Sequence, residues 1–342
     1  MDKSNSRATP AAAGPVYNAL VLVSPPAPLP PRWHPAVRSL LYLIAFAVIQ
    51  VAASVAVFLA LRRLGGDAGL SGRAVLLVFA VTAPPLLVVT RVFLRLLDRR
   101  SLASLGVRWP PAGRPAALRQ TAGAVLAVLG LLAGWLTALA LLPGAAVRFG
   151  GRSGDLAGPS GLLGFAALLA GFLVQGAVEE LVVRGYIYHA LRERWRPAAA
   201  AVASSLLFAA LHGANPGFSP VALLNTFLAG VIFAILVERS GSLWSAVLAH
   251  GVWNFAVSCL LSLPVSGVSL PHLLVLSVQG PDLLTGDGFG PEGSLLLSLL
   301  ALPVAALLTR RRPGGGPRTP PTSPGDVRPP SSSGGGVAQP LL

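Results

Sequence analysis

Apolar residues run through this chain in long blocks that few charges interrupt, and the blocks are too long for strands. Ser39–Leu61 carries no charge, and Ala74–Thr90 follows with Pro84 and Pro85 inside it, an expected kink. Thr121–Leu142 is the third block; Gly161–Val178 is the fourth, and its apolar pattern resumes after Glu179 and Glu180. The uncharged run Pro197–Val237 is long enough for two spans, and Gly213–Pro220, with its Gly, Asn and Pro residues, must break it. Leu243–Leu263 and Ser294–Thr309 complete eight segments. A membrane span takes roughly 20 apolar residues. The pattern therefore predicts an all-α fold, a polytopic transmembrane helix bundle of about eight spans within residues 38–312. Residues 1–37 are rich in Pro, Ala and Ser and residues 313–342 in Pro, Gly and Ser, so both are expected to be disordered tails.

Composition excludes the soluble alternatives. Only 11% of the 342 residues are charged and 54% are hydrophobic, against about 25% charged in an ordinary soluble domain. The net charge of +14 comes almost wholly from Arg, Lys3 being the lone lysine. Its placement changes its meaning. Arg91, Arg95, Arg99 and Arg100 follow the second block, Arg192, Arg194 and Arg196 the fourth, and Arg310, Arg311 and Arg312 the eighth. Between the seventh and eighth blocks the charged residues are Asp282, Asp287 and Glu292. This is a topology signal, not a nucleic-acid surface. It predicts a multi-pass protein of the cell membrane with both termini cytoplasmic, against which Arg62, Arg63 and Arg73 dissent. The Arg-over-Lys, Ala-, Gly- and Pro-rich usage resembles GC-rich bacterial coding. Cys259 stands alone, so no intrachain disulfide or thiolate metal cluster forms.

Against this apolar background a few polar residues stand out. Glu179 and Glu180 interrupt the fourth span, and a carboxylate at bilayer depth costs ~2.5–3.5 kcal/mol on insertion scales. Glu180 and Arg184 are spaced i, i+4 with Glu on the N-terminal side, so they can pair. Glu179 is turned by about 100°, and the polar neighbour one turn before it is Gln175. One carboxylate is thus expected to stay ionised and structural, and the other to be poised as a base near neutral pH. His212 closes Phe208-Ala-Ala-Leu-His212, and His250 opens His250-Gly-Val-Trp-Asn254, each motif with i, i+4 spacing. A shared polar site explains two intramembrane histidines, an Asn and an unpaired Glu better than separate packing roles. Zn²⁺ bound by Glu179, His212 and His250 as a His₂Glu set remains open as an alternative. It would leave only Glu180, neutralised by Arg184, as a base.

The order Glu179-Glu180-x-x-x-Arg184, Phe208-x-x-x-His212, His250-x-x-x-Asn254, each in a transmembrane setting, resembles the CPBP family of intramembrane proteases. That family contains the CAAX prenyl protease 2 type enzymes and lysostaphin resistance protein A-like proteins. The similarity covers about residues 160–260, including the surroundings of Gly230 and Gly241-Ser-Leu-Trp. It implies Glu179 as catalytic base, with His212 helping to activate water and no cofactor required. His250, as neutral imidazole, and Asn254 would stabilise the oxyanion, and Glu180, Arg184 and Phe208 would support them. The implied substrate is a hydrophobic or lipidated peptide, cut within membrane lipid. Two rivals belong to other classes. One is a non-catalytic scaffold or bacteriocin immunity protein. The other is a transporter with an intramembrane Glu as proton relay, which the absence of internal repeats disfavours.

Overall fold

Each apolar block folds as a helix. The computed structural model describes residues 33–64, 72–107, 115–153 and 158–309. The first helices are α1 Pro35–Arg63, α2 Gly72–Phe93, α3 Pro115–Leu141 and α4 Gly158–Glu180. Then follow α5 Pro197–Leu211, α6 Pro220–Ser240, α7 Trp244–Phe255 and α8 Leu295–Thr309. Proline opens α1, α5 and α6, where its missing N–H costs nothing. α2 carries on through Pro84 and Pro85. Because α1 starts at Pro35, the last residues of the tail expected at 1–37 are already helical. The rest of that tail (1–32) and the tail 313–342 lie outside the described residues.

Five helical stretches are long and apolar enough to cross a membrane: Pro35–Arg63, Arg73–Asp98, Leu118–Leu141, Gly161–Leu191 and Pro220–Ser240. Pro197–Leu211, Trp244–Leu260 and Leu295–Thr309 are apolar but shorter. α1 turns Leu40, Ile44, Val48, Val51 and Val55 outward. A continuous apolar face of this kind suits lipid and not water. The chain is a multi-pass membrane helix bundle.

The fourth rod positions the polar residues. α4 does not stop at Glu180; it widens into a π-helical stretch, Leu181–Tyr188, and runs on through His189–Leu191. The rod thus reaches 31 residues, about 46 Å at 1.5 Å per residue. Counted back from Leu191, Glu179 lies ~18 Å along it, and His212 lies ~22 Å from the start of α5 at Pro197. Two residues that straight, ordinary spans would put at different depths therefore come level.

The ends are tied differently. At one end β1 (Ala146–Arg152) pairs antiparallel with β2 (Leu274–Gln279), with Ala146 opposite Gln279 and an irregularity between Phe149 and Arg152. This two-stranded ribbon is an addition to the all-helical expectation, and it puts the α3–α4 and α7–α8 connections at the same end. The opposite end, the basic end, is held by the buried Arg38, which forms ion pairs with Asp98 and Glu193; Arg100 approaches Glu193 at 3.5 Å. Above it Tyr42 stacks on Tyr186 at 4.1 Å between centroids.

Helices α4 and α7 cross at their glycines. A Cβ on Gly176 would lie 3.2 Å from the Gly251 nitrogen and the Val247 carbonyl, and one on Gly251 3.0 Å from the Phe172 carbonyl. Small residues let the backbones touch in this way. Gly176→Leu should therefore lower stability by about 1–3 kcal/mol or more. The check is thermal unfolding in detergent beside Gly130→Leu, whose Cβ meets nothing within 4 Å and which should leave the midpoint unchanged.

Candidate active site

The glycine crossing brings two motifs into contact. Glu180 is fully buried, and its Oε1 accepts from Arg184 Nη1 at 3.0 Å and lies 3.0 Å from His250 Nδ1. The expected i, i+4 pair is present, and Glu180 has a second task that spacing did not reveal: it holds the imidazole of α7. The Arg184 guanidinium is also fully buried, 4.2 Å from the centroid of the Phe208 ring and 5.5 Å from that of Phe233. Gly230 allows this. A Cβ there would stand 2.9 Å from Arg184 Nη2 and 2.8 Å from Ser205 Cβ.

Glu179 faces the other way. Its Oε1 accepts from Gln175 Nε2 at 2.8 Å, and Gln175 Oε1 accepts from Asn254 Nδ2 at 2.9 Å. Its Oε2 is buried without a hydrogen-bond partner among the described residues, 3.7 Å from His250 Nε2 and 3.9 Å from His212 Nε2. Glu179, Glu180, Arg184, Phe208, His212, His250 and Asn254 thus all meet. The ring of Phe208 packs edge-on against both His212 and His250, at 4.6 and 5.8 Å between centroids. His34, His189 and His272 take no part: their Nδ1 atoms meet the Ala36 amide, the Arg184 carbonyl and the Leu270 carbonyl.

The histidine protons are fixed by their partners. His212 Nδ1 lies 2.8 Å from the Phe208 carbonyl, and His250 Nδ1 faces the Glu180 carboxylate. A carbonyl and a carboxylate can only accept, so both rings carry hydrogen at Nδ1. In neutral rings the Nε2 atoms facing Glu179 are then lone pairs. With hydrogen at Nδ1 a neutral His250 presents a lone pair at Nε2, and an oxyanion donor there needs the imidazolium form.

Three contributors are less visible in the sequence. Gln175 links Asn254 to Glu179. Phe233 stacks on His250 at 5.2 Å. Glu292 accepts from Trp253 Nε1 at 2.8 Å and from the amide and hydroxyl of Ser266 at 2.7 and 2.6 Å, which clamps a distant loop to the third motif. His212, His250, Asn254, Glu292 and the two Phe rings line one cavity of about 700 Å³. The break Gly213–Pro220 does not line this cavity. It packs instead on the neighbouring loops, with Pro216 against Gly267 and Phe218 against Phe289. Among the described residues no group of three or more His, Cys, Asp and Glu is arranged to hold a metal ion.

Residues 161–256 match the family model for type II CAAX prenyl endopeptidase, Rce1-like. The matched stretch is similar to that family. It runs from α4 through α7 and carries all three motifs, so the resemblance drawn from them is borne out. α1–α3, α8 and Glu292 lie outside the match. No curated protein matches the chain.

Removing one partner of a buried ion pair costs about 3–5 kcal/mol, because the other charge is left uncompensated. Arg184→Met should therefore destabilise the protein strongly. The double variant Arg184→Met/Glu180→Gln should recover part of the loss. Unfolding midpoints of the three proteins in one detergent check this.

Proposed function

We propose that the chain is an intramembrane endopeptidase that hydrolyses a hydrophobic or lipidated peptide with a water activated by Glu179. The supporting observation is the buried Glu179 Oε2, which has no hydrogen-bond partner among the described residues and sits 3.7 and 3.9 Å from two imidazole nitrogens. Separations of that size suit a bridging water. Glu179 takes a proton as the water attacks the peptide carbonyl, and returns it to the leaving amine.

Proton counting assigns the remaining roles. Three acceptors surround the water, which has two protons to give. One added proton balances the set, and the Glu180 carboxylate at Nδ1 makes His250 its natural holder. As imidazolium, His250 donates from Nε2 to the developing oxyanion, beside the second N–H of the Asn254 amide. His212 Nε2 stays an acceptor and orients the water. Such donors act more strongly where they are buried, as His250 and Asn254 are.

The family description supports a CAAX-type prenylated substrate. The mostly apolar cavity suits such a chain. The membrane is expected to be the cell membrane, with the basic end and both termini on the cytoplasmic side. The same Nε2, Nε2 and Oε2 atoms are the donor set that zinc would use. Against that use stands Glu180, already bonded to Arg184 and His250 and so no replacement base.

The test is cleavage of a prenylated-peptide panel by the purified full chain in vesicles. Glu179→Gln should lower turnover by about 10²–10⁴-fold, and His250→Ala by about 10²–10³-fold, with folding retained. If the wild type cleaves no better than these variants, a scaffold or immunity role replaces the protease for that panel. Activity should also survive a chelator. Loss that added zinc restores would move Glu179, His212 and His250 to ligand roles.

A further inference from the structure

A second cavity lies apart from the reacting groups. It is an open groove of about 1130 Å³ between α3, α6 and α8. Ala124, Val128 and Leu131 line it from α3, and Ile232 and Leu236 from α6. Spacings of three, four and seven put each set on one helix face. The groove is apolar along this length and turns cationic at the basic end. There Arg119 of α3 and Arg239 of α6 stand at its mouth, and no acidic residue lines it. Arg239 Nη1 donates to the Leu308 carbonyl at 2.5 Å, which fixes its guanidinium against the last turn of α8. Arg119 is exposed.

We propose that this groove binds an anionic phospholipid of the adjoining leaflet, with its phosphate on Arg119 and Arg239 and one acyl chain between α3, α6 and α8. Basic pockets between helices at a membrane face suit lipid phosphates. Guanidinium groups hold phosphate oxygens in pairs. A peptide fits less well, because an extended backbone must find partners for its N–H and C=O groups and these walls offer almost none. From Arg239 to Ile232 the groove follows α6 for ~10 Å. Room remains beside Gly123, where an added Cβ would meet nothing within 4 Å. Val128, Leu131 and Ile232 also line the cavity that holds His250, so the chain's end reaches the floor of the candidate active site. The site stands whether or not the protein cleaves peptides.

The test uses the full chain in phosphatidylcholine nanodiscs doped with phosphatidylglycerol, with retained lipids counted by native mass spectrometry. Wild type should retain phosphatidylglycerol in preference to phosphatidylcholine. Arg119→Ala/Arg239→Ala should cut that preference by about thirtyfold, from two cations near a charged surface. Gly123→Phe keeps both cations but fills the groove, and should weaken retention as well. Equal retention of both lipids by wild type overturns the site. So does full retention by Gly123→Phe beside loss in the arginine variant, since the cations would then hold an anion without a chain in the groove. If the double variant fails to fold, Arg119→Ala alone, at an exposed position, gives the charge arm with a smaller loss.

Discussion

One carboxylate oxygen, Glu180 Oε1, holds the candidate site together. It joins Arg184 of its own rod to His250 of α7, each at 3.0 Å. A bare carboxylate inside a membrane protein is costly, and the guanidinium offsets that cost only because Phe208 and Phe233 enclose it and Gly230 leaves it room. The same contact decides where the His250 proton sits. Packing, charge and proton inventory are therefore one problem with one solution. The glycine crossing of α4 and α7 makes the contact possible, since a side chain at Gly176 would separate the two helices.

Much of this was legible in the sequence because charge is scarce in it. Glu179, Glu180 and Arg184 were conspicuous in a chain built for lipid, and the i, i+4 spacings of the three motifs survived folding. What was hidden depended on long-range contact. Gln175 is an ordinary residue until Asn254 arrives on another helix to bond it. Glu292 read as a loop acid and became a clamp only when Trp253 and Ser266 met it. The second contact of Glu180 was hidden for the same reason. The helical rod through Leu191 was foreseeable from its apolar pattern, whereas its π-helical stretch was not, because a change in helix width leaves hydropathy unaltered.

The three short helices have a physical role that follows from their company. α5, α7 and α8 fall short of full span length; α7 is largely buried, whereas α5 turns Val202 and Leu206 outward and α8 turns Leu299 and Leu307 outward, and non-helical backbone follows α5. Non-helical backbone at such positions is tolerated where protein surrounds it. α5 ends where His212 is required, and α7 widens into a π-helical stretch, Ala256–Leu260, soon after Asn254. Helix length here follows the site more than the thickness of the bilayer.

The β1–β2 ribbon has a consequence in time. Its strands are separated in sequence by α4, α5, α6 and α7, so β1 must wait, unpaired, while four helices are made and inserted. Contacts of such long separation form late, because the entropy of closing the loop is met before the contact rewards it. The ribbon is a fastening closed near the end of biosynthesis. Until then the β2 side of the molecule stays open, and Glu292, which follows β2 in the chain, has yet to reach Trp253. The bundle can therefore assemble its costly buried charges first and draw its far end shut afterwards.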